Sequence, residues 1–296
     1  MILNWIKPRK GRRWQLLTVA ALAALAAPVS EAAAPGAASA GGTFAALRTS
    51  ATAAVSSNWS GYLATGTSTT YTSVTATWKQ PTVTCEDGDA GAASAFWVGL
   101  GGSSSASQAL EQIGTSADCD SRTGKPTYYA WYELVPSPSV TIKSFKVAPG
   151  DLITTSVNVT GSDTVLVQVK NRTRKTSFTK SLTLANPDLS SAEWIAEAPS
   201  ACNGDRCVTL PLSNFKSIQF SKIAAIGNGI GGTLTANPGW TTTPISLVAD
   251  NRHGFFPGPQ TYAGASSSTA GASPGDASTD GRSFTVTWSS SDAATS

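Results

Sequence analysis

Apolar and polar positions alternate through most of this chain in short bursts. Segments rich in Val, Thr and aromatic residues occupy 73–78, 95–100, 127–134, 152–159, 164–170, 177–184, 192–197 and 283–288, with Gly, Pro and Asn between them. A period of two over strand-length runs, bounded by turn residues, marks β-strands, and no long stretch holds the 3.6-residue period of a helix. The pattern predicts an all-β fold. Residues 55–296 are expected to form one antiparallel β-sandwich, because all-β folds of about 200–250 residues commonly form single units. The stretch 264–281, rich in Ser, Gly and Ala, reads as a surface loop without a core role.

Alternation also assigns faces. Tyr129, Trp131 and Glu133 share one face of their strand, against Tyr128, Ala130, Tyr132 and Leu134; Glu193, Ile195 and Glu197 share one face of theirs, against Trp194 and Ala196. Glutamates inside apolar strands are the anomaly, because a carboxylate among aromatic rings is costly unless hydrogen-bonded or in a wet cleft. Taken singly, such a Glu is more often a solvent-facing strand residue than a catalyst, and Trp97, Trp131 and Trp194 are more often core than ligand platform.

Composition narrows the chemistry. Only 13% of the 296 residues are charged, and 27 Gly and 16 Pro occur without a three-residue period, which excludes a charge-driven disordered chain and a collagen. A single histidine, His253, excludes multi-histidine zinc motifs and leaves at most one imidazole for a triad.

Lys7, Arg9, Lys10, Arg12 and Arg13 precede the largely apolar run 14–27, which is followed by small residues including Ala32, Ala33 and Ala34. That order predicts a secretory signal over 1–34, since the run is shorter than the roughly 20 residues of a membrane span. Arg12-Arg13 also fits a twin-arginine signal. Residues 35–54, dominated by Ala, Gly, Ser and Thr, read as a linker or short propeptide. Five of the 21 Lys and Arg and one of the 18 Asp and Glu lie in the signal, leaving a net of −1 beyond it. No nucleic-acid footprint is expected in the exported chain, which is read as an extracellular monomer free of the membrane.

Cys85, Cys119, Cys202 and Cys207 all follow the signal, and an even count in an exported chain favours two disulfides. Of three pairings, Cys85 with Cys119 and Cys202 with Cys207 is preferred, because the last two flank Asn203-Gly204-Asp205-Arg206, a ready tight turn. A four-thiolate zinc site is the rival, without C-x-x-C spacing to support it. Asn58, Asn158 and Asn171 each begin a glycosylation sequon.

The order of the segments carries a resemblance. Ser57-Asn58-Trp59-Ser60-Gly61-Tyr62, Phe96-Trp97-Val98-Gly99-Leu100, Leu110-Glu111-Gln112-Ile113-Gly114, Tyr129-Ala130-Trp131-Tyr132-Glu133, Ala192-Glu193-Trp194-Ile195-Ala196-Glu197 and Ser283-Phe284-Thr285-Val286-Thr287-Trp288 resemble, in that order, the glutamic peptidases of the eqolisin or G1 family. The similarity implies a lectin-like, concanavalin-like sandwich whose bent sheet makes a concave substrate groove. It implies polypeptide substrates, no cofactor and no metal, and a catalytic dyad that falls on Gln112 and Glu197. Trp59, Trp97, Trp131 and Glu133 fall on groove positions.

That chemistry suits these residue types. Glu197 as carboxylate takes a proton from water while the Gln112 amide, which offers both donors and an acceptor and does not titrate, holds the water and donates to the oxyanion. The resemblance implies an acid pH preference. Two positions depart from the family pattern: Gly101 and Ser116 stand where acids are common, and Asp118 is the nearest substitute for the second. Glu193 reads equally as a partner of the dyad or as a polar strand residue.

Three rival functions remain. A carbohydrate-binding lectin would share the sandwich and its aromatic residues without needing Gln112 or Glu197. A glycosidase built on Glu193 and Glu197 is disfavoured, since residues four apart on one strand lie about 13 Å apart by backbone rise. A serine hydrolase on His253 lacks a G-x-S-x-G motif.

Overall fold

Each of the eight segments expected as strands is one. They run over Tyr71–Lys79, Ala95–Gly101, Pro126–Val135, Leu152–Thr160, Thr164–Asn171, Thr176–Thr183, Ser191–Glu197 and Ser283–Ser289. The structure, a computed structural model, describes residues 48–49, 54–104, 107–203, 206–237, 239–248 and 270–290. The segment expected as a signal, 1–34, and His253 lie outside the described residues.

Further strands escape the pattern. Leu110–Cys119 carries Glu, Gln, Gly and Asp, poor strand formers, yet is buried on both faces apart from half-buried Asp118. Ser217–Gly227 is broken by a register shift between Ser221 and Ala224, with Lys222 in the left-handed region (φ 51°), so its alternation changes phase midway. Two residues of the segment read as a linker, Arg48–Thr49, pair with Ala54–Ser56.

Pairing builds two layers. One runs Thr241–Leu247, Trp59–Thr65, Ser191–Glu197, Ala95–Gly101, Leu110–Cys119, Pro126–Val135 and Val140–Thr141, each strand antiparallel to the next. The other runs Thr176–Thr183, Thr164–Asn171, Leu152–Thr160, Tyr71–Lys79, Ser217–Gly227, Ser283–Ser289 and Gly271–Pro274, again antiparallel throughout. Leu247 pairs with Ala272 and joins the layers along one edge.

That join corrects the reading of 264–281 as a loop without a core role. Gly271–Pro274 is a strand between two others, and Ala270 and Ala272 are buried in the main core. Small side chains lower the apparent hydrophobicity of the segment, although small size is what lets it lie in the seam.

The main core lies between the layers, where Trp78, Phe220 and Phe284 pack in succession with centroids 5.5 and 5.1 Å apart. Alternation then places a second cluster on the opposite face of the first layer: Trp59, Leu63, Trp97, Leu110, Trp131 and Ile195 among others. The faces assigned from sequence agree, with Ala130, Tyr132, Trp194 and Ala196 in the main core and Trp131 and Ile195 in the second cluster. Cys85 and Cys119 form a disulfide across a 34-residue separation. Ser200–Asn203 and Arg206–Thr209 pair as a hairpin with Cys202 opposite Cys207, whose side chains lie outside the described part.

Candidate active site

All the residues expected at the site fall on that second face. Register puts Leu63, Glu193, Gly99, Gln112 and Glu133 in one rank across five strands. Gly61, Ile195, Trp97, Gly114 and Trp131 form the next, and Trp59, Glu197, Ala95, Ser116 and Tyr129 the one after. Gln112 and Glu197 therefore stand two ranks apart and make no direct hydrogen bond.

Other side chains bridge the gap. Glu197 receives two hydrogen bonds, one on each carboxyl oxygen: Oε1 from Asn58 Nδ2 at 3.1 Å and Oε2 from Trp97 Nε1 at 2.8 Å. Trp59 meets Trp97 edge-on, centroids 5.1 Å apart, and its indole N–H lies near Glu197 without making a hydrogen bond of normal geometry. At the other end Gln112 Nε2 donates to Glu133 Oε2 at 2.8 Å, and the negative charge of Glu133 in turn bears on Glu197. The Gln112 Oε1 and the indole N–H groups of Trp59 and Trp131 are buried without hydrogen-bond partners.

Gly99 is required where it stands. A Cβ there would meet Cζ3 of Trp97 at 2.9 Å, so the bare backbone lets the indole lie across the rank that holds Gln112 while its nitrogen reaches Glu197.

The electrostatics are those of buried acids without cations. Among the described residues the ion pair of Arg174 with Asp151 is remote from this face. Burial pushes Glu197 well above the ordinary carboxyl range, the Trp97 hydrogen bond opposes it, Glu133 adds to it, and Trp59 and Asn58 lower it again. Burial raises Glu193 in the same way, the nearby Ser191 hydroxyl opposes it without making a hydrogen bond of normal geometry, and Asp188 and Glu111 add to the effect. Glu111, facing the main core, is pushed up to about 8, chiefly by burial, and accepts the Asp188 N–H at 3.3 Å.

The two departures from the family pattern acquire a structural account. Gly101 has φ 79°, and a Cβ on it would lie 2.5 Å from both Cβ and the carbonyl oxygen of Asp188. The acid absent at 101 is thus met by one from another segment, whose carboxylate accepts from Ser107 Oγ and from Gly102 N. Asp118 accepts from Tyr129 Oη at 2.7 Å and Ser94 N at 3.3 Å, and burial raises it to about 7. Tyr129 pairs with Ser116, so Asp118 reaches the rank of Glu197 through that ring rather than by direct contact.

Sequence reasoning missed Asn58, Asp188 and Glu111 as parts of this arrangement. Asn58 sits inside a quoted motif but reads there only as a sequon; in the structure it is buried and its amide is committed to Glu197.

The face is closed. Gln112 is 0% and Glu197 1% exposed, and Trp59, Trp97, Trp131 and Glu133 are buried as well, so the expected groove positions are not open to solvent. Two surface hollows, one beside Tyr132, Phe178 and Lys180 and one beside Lys79 and Gln80, include none of these residues. Among the described residues no group of three or more His, Cys, Asp or Glu is arranged to hold a metal ion.

The chain matches the Peptidase A4 family over residues 57–248. No curated protein sequence matches it. Among solved structures it is similar to scytalido-glutamic peptidase with a transition state analog inhibitor, at 22% identity and a TM-score of 0.61, over 79% of this chain and 98% of that one. It is similar too to SCP-B, a member of the eqolisin family in complex with the tripeptide Ala-Ile-His, at 22% identity and a TM-score of 0.57, over 79% and 98% of the two chains. At that identity the likenesses speak for the fold, whereas the match over the strands bearing Trp59, Gln112, Glu133 and Glu197 speaks for descent, and the chain belongs to the Peptidase A4 family: it is a glutamic endopeptidase of the eqolisin, or G1, family.

Proposed function

We propose that this chain is a secreted endopeptidase, working on unfolded polypeptides in acid medium, in which Glu197 and Gln112 act together on one water. Ionised Glu197 takes a proton from the water as the oxygen attacks the scissile carbonyl. Gln112 orients that water through Oε1, and the N–H not given to Glu133 donates to the developing oxyanion. Protonated Glu197 then passes its proton to the leaving nitrogen, and the C–N bond breaks to give an acid and an amine. No covalent intermediate is needed.

The observation that carries this reading is the state of the two side chains. Both oxygens of Glu197 accept from N–H groups, the arrangement a carboxylate needs, and Gln112 keeps an unpartnered buried Oε1. Because the face is closed, substrate entry has to uncover it, and the water admitted then relieves part of the burial that raises Glu197 above the ordinary carboxyl range. The acid limb of the activity profile is accordingly expected above the ordinary carboxylate range, and the optimum in mildly acid medium. Export rests on the charged, apolar, small-residue order of 1–34.

The test is digestion of a denatured protein by the mature chain from strongly acid to mildly alkaline buffer, beside Gln112→Ala and Glu197→Gln. Loss of cleavage in both variants with unchanged circular dichroism supports the dyad; equal cutting by all three removes it. Binding of a sugar with no cleavage at any pH would favour the lectin reading instead.

A further inference from the structure

The Glu197 carboxylate sits at the end of its strand, where the chain leaves the layer at Ala198. What holds its Oε1 is a side chain from the far N-terminal part of the fold, Asn58, 139 residues away. An amide has two ends of nearly equal shape, and only one of them can face a carboxylate: Nδ2 attracts it and Oδ1 repels it. Something must decide which end points at Glu197.

Ser56 decides it. Its Oγ accepts the backbone N–H of Trp59 at 3.0 Å and of Asn58 at 3.3 Å, which occupies both of its lone pairs. The single hydroxyl proton is left to be donated, and its acceptor is Asn58 Oδ1 at 3.1 Å. With Oδ1 tied to Ser56, Nδ2 has one direction left, toward Glu197. The Asn58 carbonyl, accepting Ala198 N at 2.8 Å, ties the same residue to the chain just past Glu197. Ser56 and Asn58 are 2% and 3% exposed, so water does not compete for these bonds.

We propose that Ser56 and Asn58 form a positioning relay that fixes the rotamer of Glu197 and keeps a hydrogen-bond donor on its Oε1, so that the carboxylate stands ready as base. The inference rests on Glu197 being the base. Asn58 is thereby withdrawn from glycosylation despite its sequon, because its nitrogen is already committed inside the protein. Among the described residues the groups facing Glu197 are the donors Trp97 and Asn58, the nearby indole N–H of Trp59, and one charged neighbour, Glu133. Removing the Asn58 donor leaves burial and Glu133 less opposed, so Glu197 holds its proton to higher pH.

The test compares pH profiles of kcat and kcat/KM for the unmodified chain, Asn58→Ala, Asn58→Asp, Ser56→Ala, Ser56→Thr and Glu197→Gln, each with a melting temperature. Asn58→Asp is close in shape and keeps an acceptor for Ser56, so it serves where Asn58→Ala fails to fold. Expected is an acid limb raised by about one pH unit in Asn58→Ala and further in Asn58→Asp, with kcat down about tenfold and KM little changed. Ser56→Ala should move the limb the same way by less, and Ser56→Thr, which keeps the hydroxyl, should restore it. A limb that stays in place in folded Asn58→Asp overturns the relay while Glu197→Gln is inactive. Full activity in Glu197→Gln overturns the reading beneath it.

Discussion

Trp97 donates its indole N–H to Oε2 of Glu197 at 2.8 Å while the far edge of the same ring lies against Gly99, the strand partner of Gln112. One rigid ring therefore spans the distance between the rank of Gln112 and that of Glu197. The two residues proposed as the dyad are held in relation by tryptophan packing rather than by touching, and each can exchange a proton or a hydrogen bond with substrate without first breaking a bond to the other.

Trp97→Phe keeps most of the packing and loses the donor. A hydrogen bond to a charged group contributes about 1.5–3 kcal/mol, so kcat/KM in the acid range should fall roughly 10- to 100-fold, with the acid limb displaced upward by about one unit. The melting temperature should change by no more than a few degrees. Profiles of the variant and the parent that superimpose would show that the indole N–H has no part in setting Glu197.

Gly99→Ala approaches the same contact from the other side. The added methyl would lie 2.9 Å from Trp97 Cζ3, 3.1 Å from Leu110 Cδ1 and 3.2 Å from the Glu111 carbonyl, so the ring has to tilt. Overpacking of this kind costs about 1–3 kcal/mol of stability. Activity should fall by more than that loss explains, about tenfold at a temperature where the variant is fully folded. Unfolding curves and activity measured on the same preparation separate the two effects.

The buried acids make stability depend on pH with a defined sign. Glu111 goes from an ordinary value of 4.5 to about 8 and Asp118 from 3.8 to about 7 in the folded chain, and Glu193 and Glu197 shift in the same direction. Unfolded, Glu111 and Asp118 lose their protons near pH 4; folded, they keep them to about pH 8 and 7. Between those limits the folded state binds more protons, so its stability is fully present below about pH 4 and is lost as pH rises toward 8, at roughly 1.4 kcal/mol per pH unit for each group in transition. Urea midpoints should fall steadily from pH 4.5 to 8, and Glu111→Gln should flatten the decline. A midpoint that rises over this range would contradict the assignment of Glu111 and Asp118 as neutral in the folded state.

How much of this was legible in the residues follows from what strand alternation can and cannot encode. It assigned the faces of 127–134 and 192–197, because both strands are regular and send alternate side chains to the main core and to the second cluster. It failed at Ser217–Gly227, where a bulge changes the phase, and at 264–281, where alanines and glycines occupy a seam that periodicity cannot register. The site positions were named through resemblance, since Gln112 by itself is an unremarked polar residue in a strand. Asn58, Glu111 and Asp188 stayed hidden because the contacts that tie them into the site span 139, 77 and 81 residues, and no local pattern records such pairing, although Asp188 also accepts the nearby Ser190 N–H.

Restoring the family's acid at position 101 should harm the protein rather than improve it. Gly101 holds φ 79°, a conformation costly for a side chain, and the new Cβ would fall 2.5 Å from Asp188 on two atoms. The added carboxylate would also face one already held there by hydrogen bonds from Ser107, Ser190 and the Gly102 N–H, which keep Asp188 below the ordinary carboxyl range despite its burial. Strain, overlap and like charge together should cost about 2–4 kcal/mol, a fall of roughly 5–15 °C in melting temperature for a domain of this size. Cleavage in the acid range should not rise. Asp188→Asn is the companion variant: it keeps the shape and removes the charge, and Gly101→Asp placed in that background should recover part of the lost stability. A Gly101→Asp chain that melts with the parent and cuts faster at low pH would mean that Asp188 does not fill the place of the missing acid.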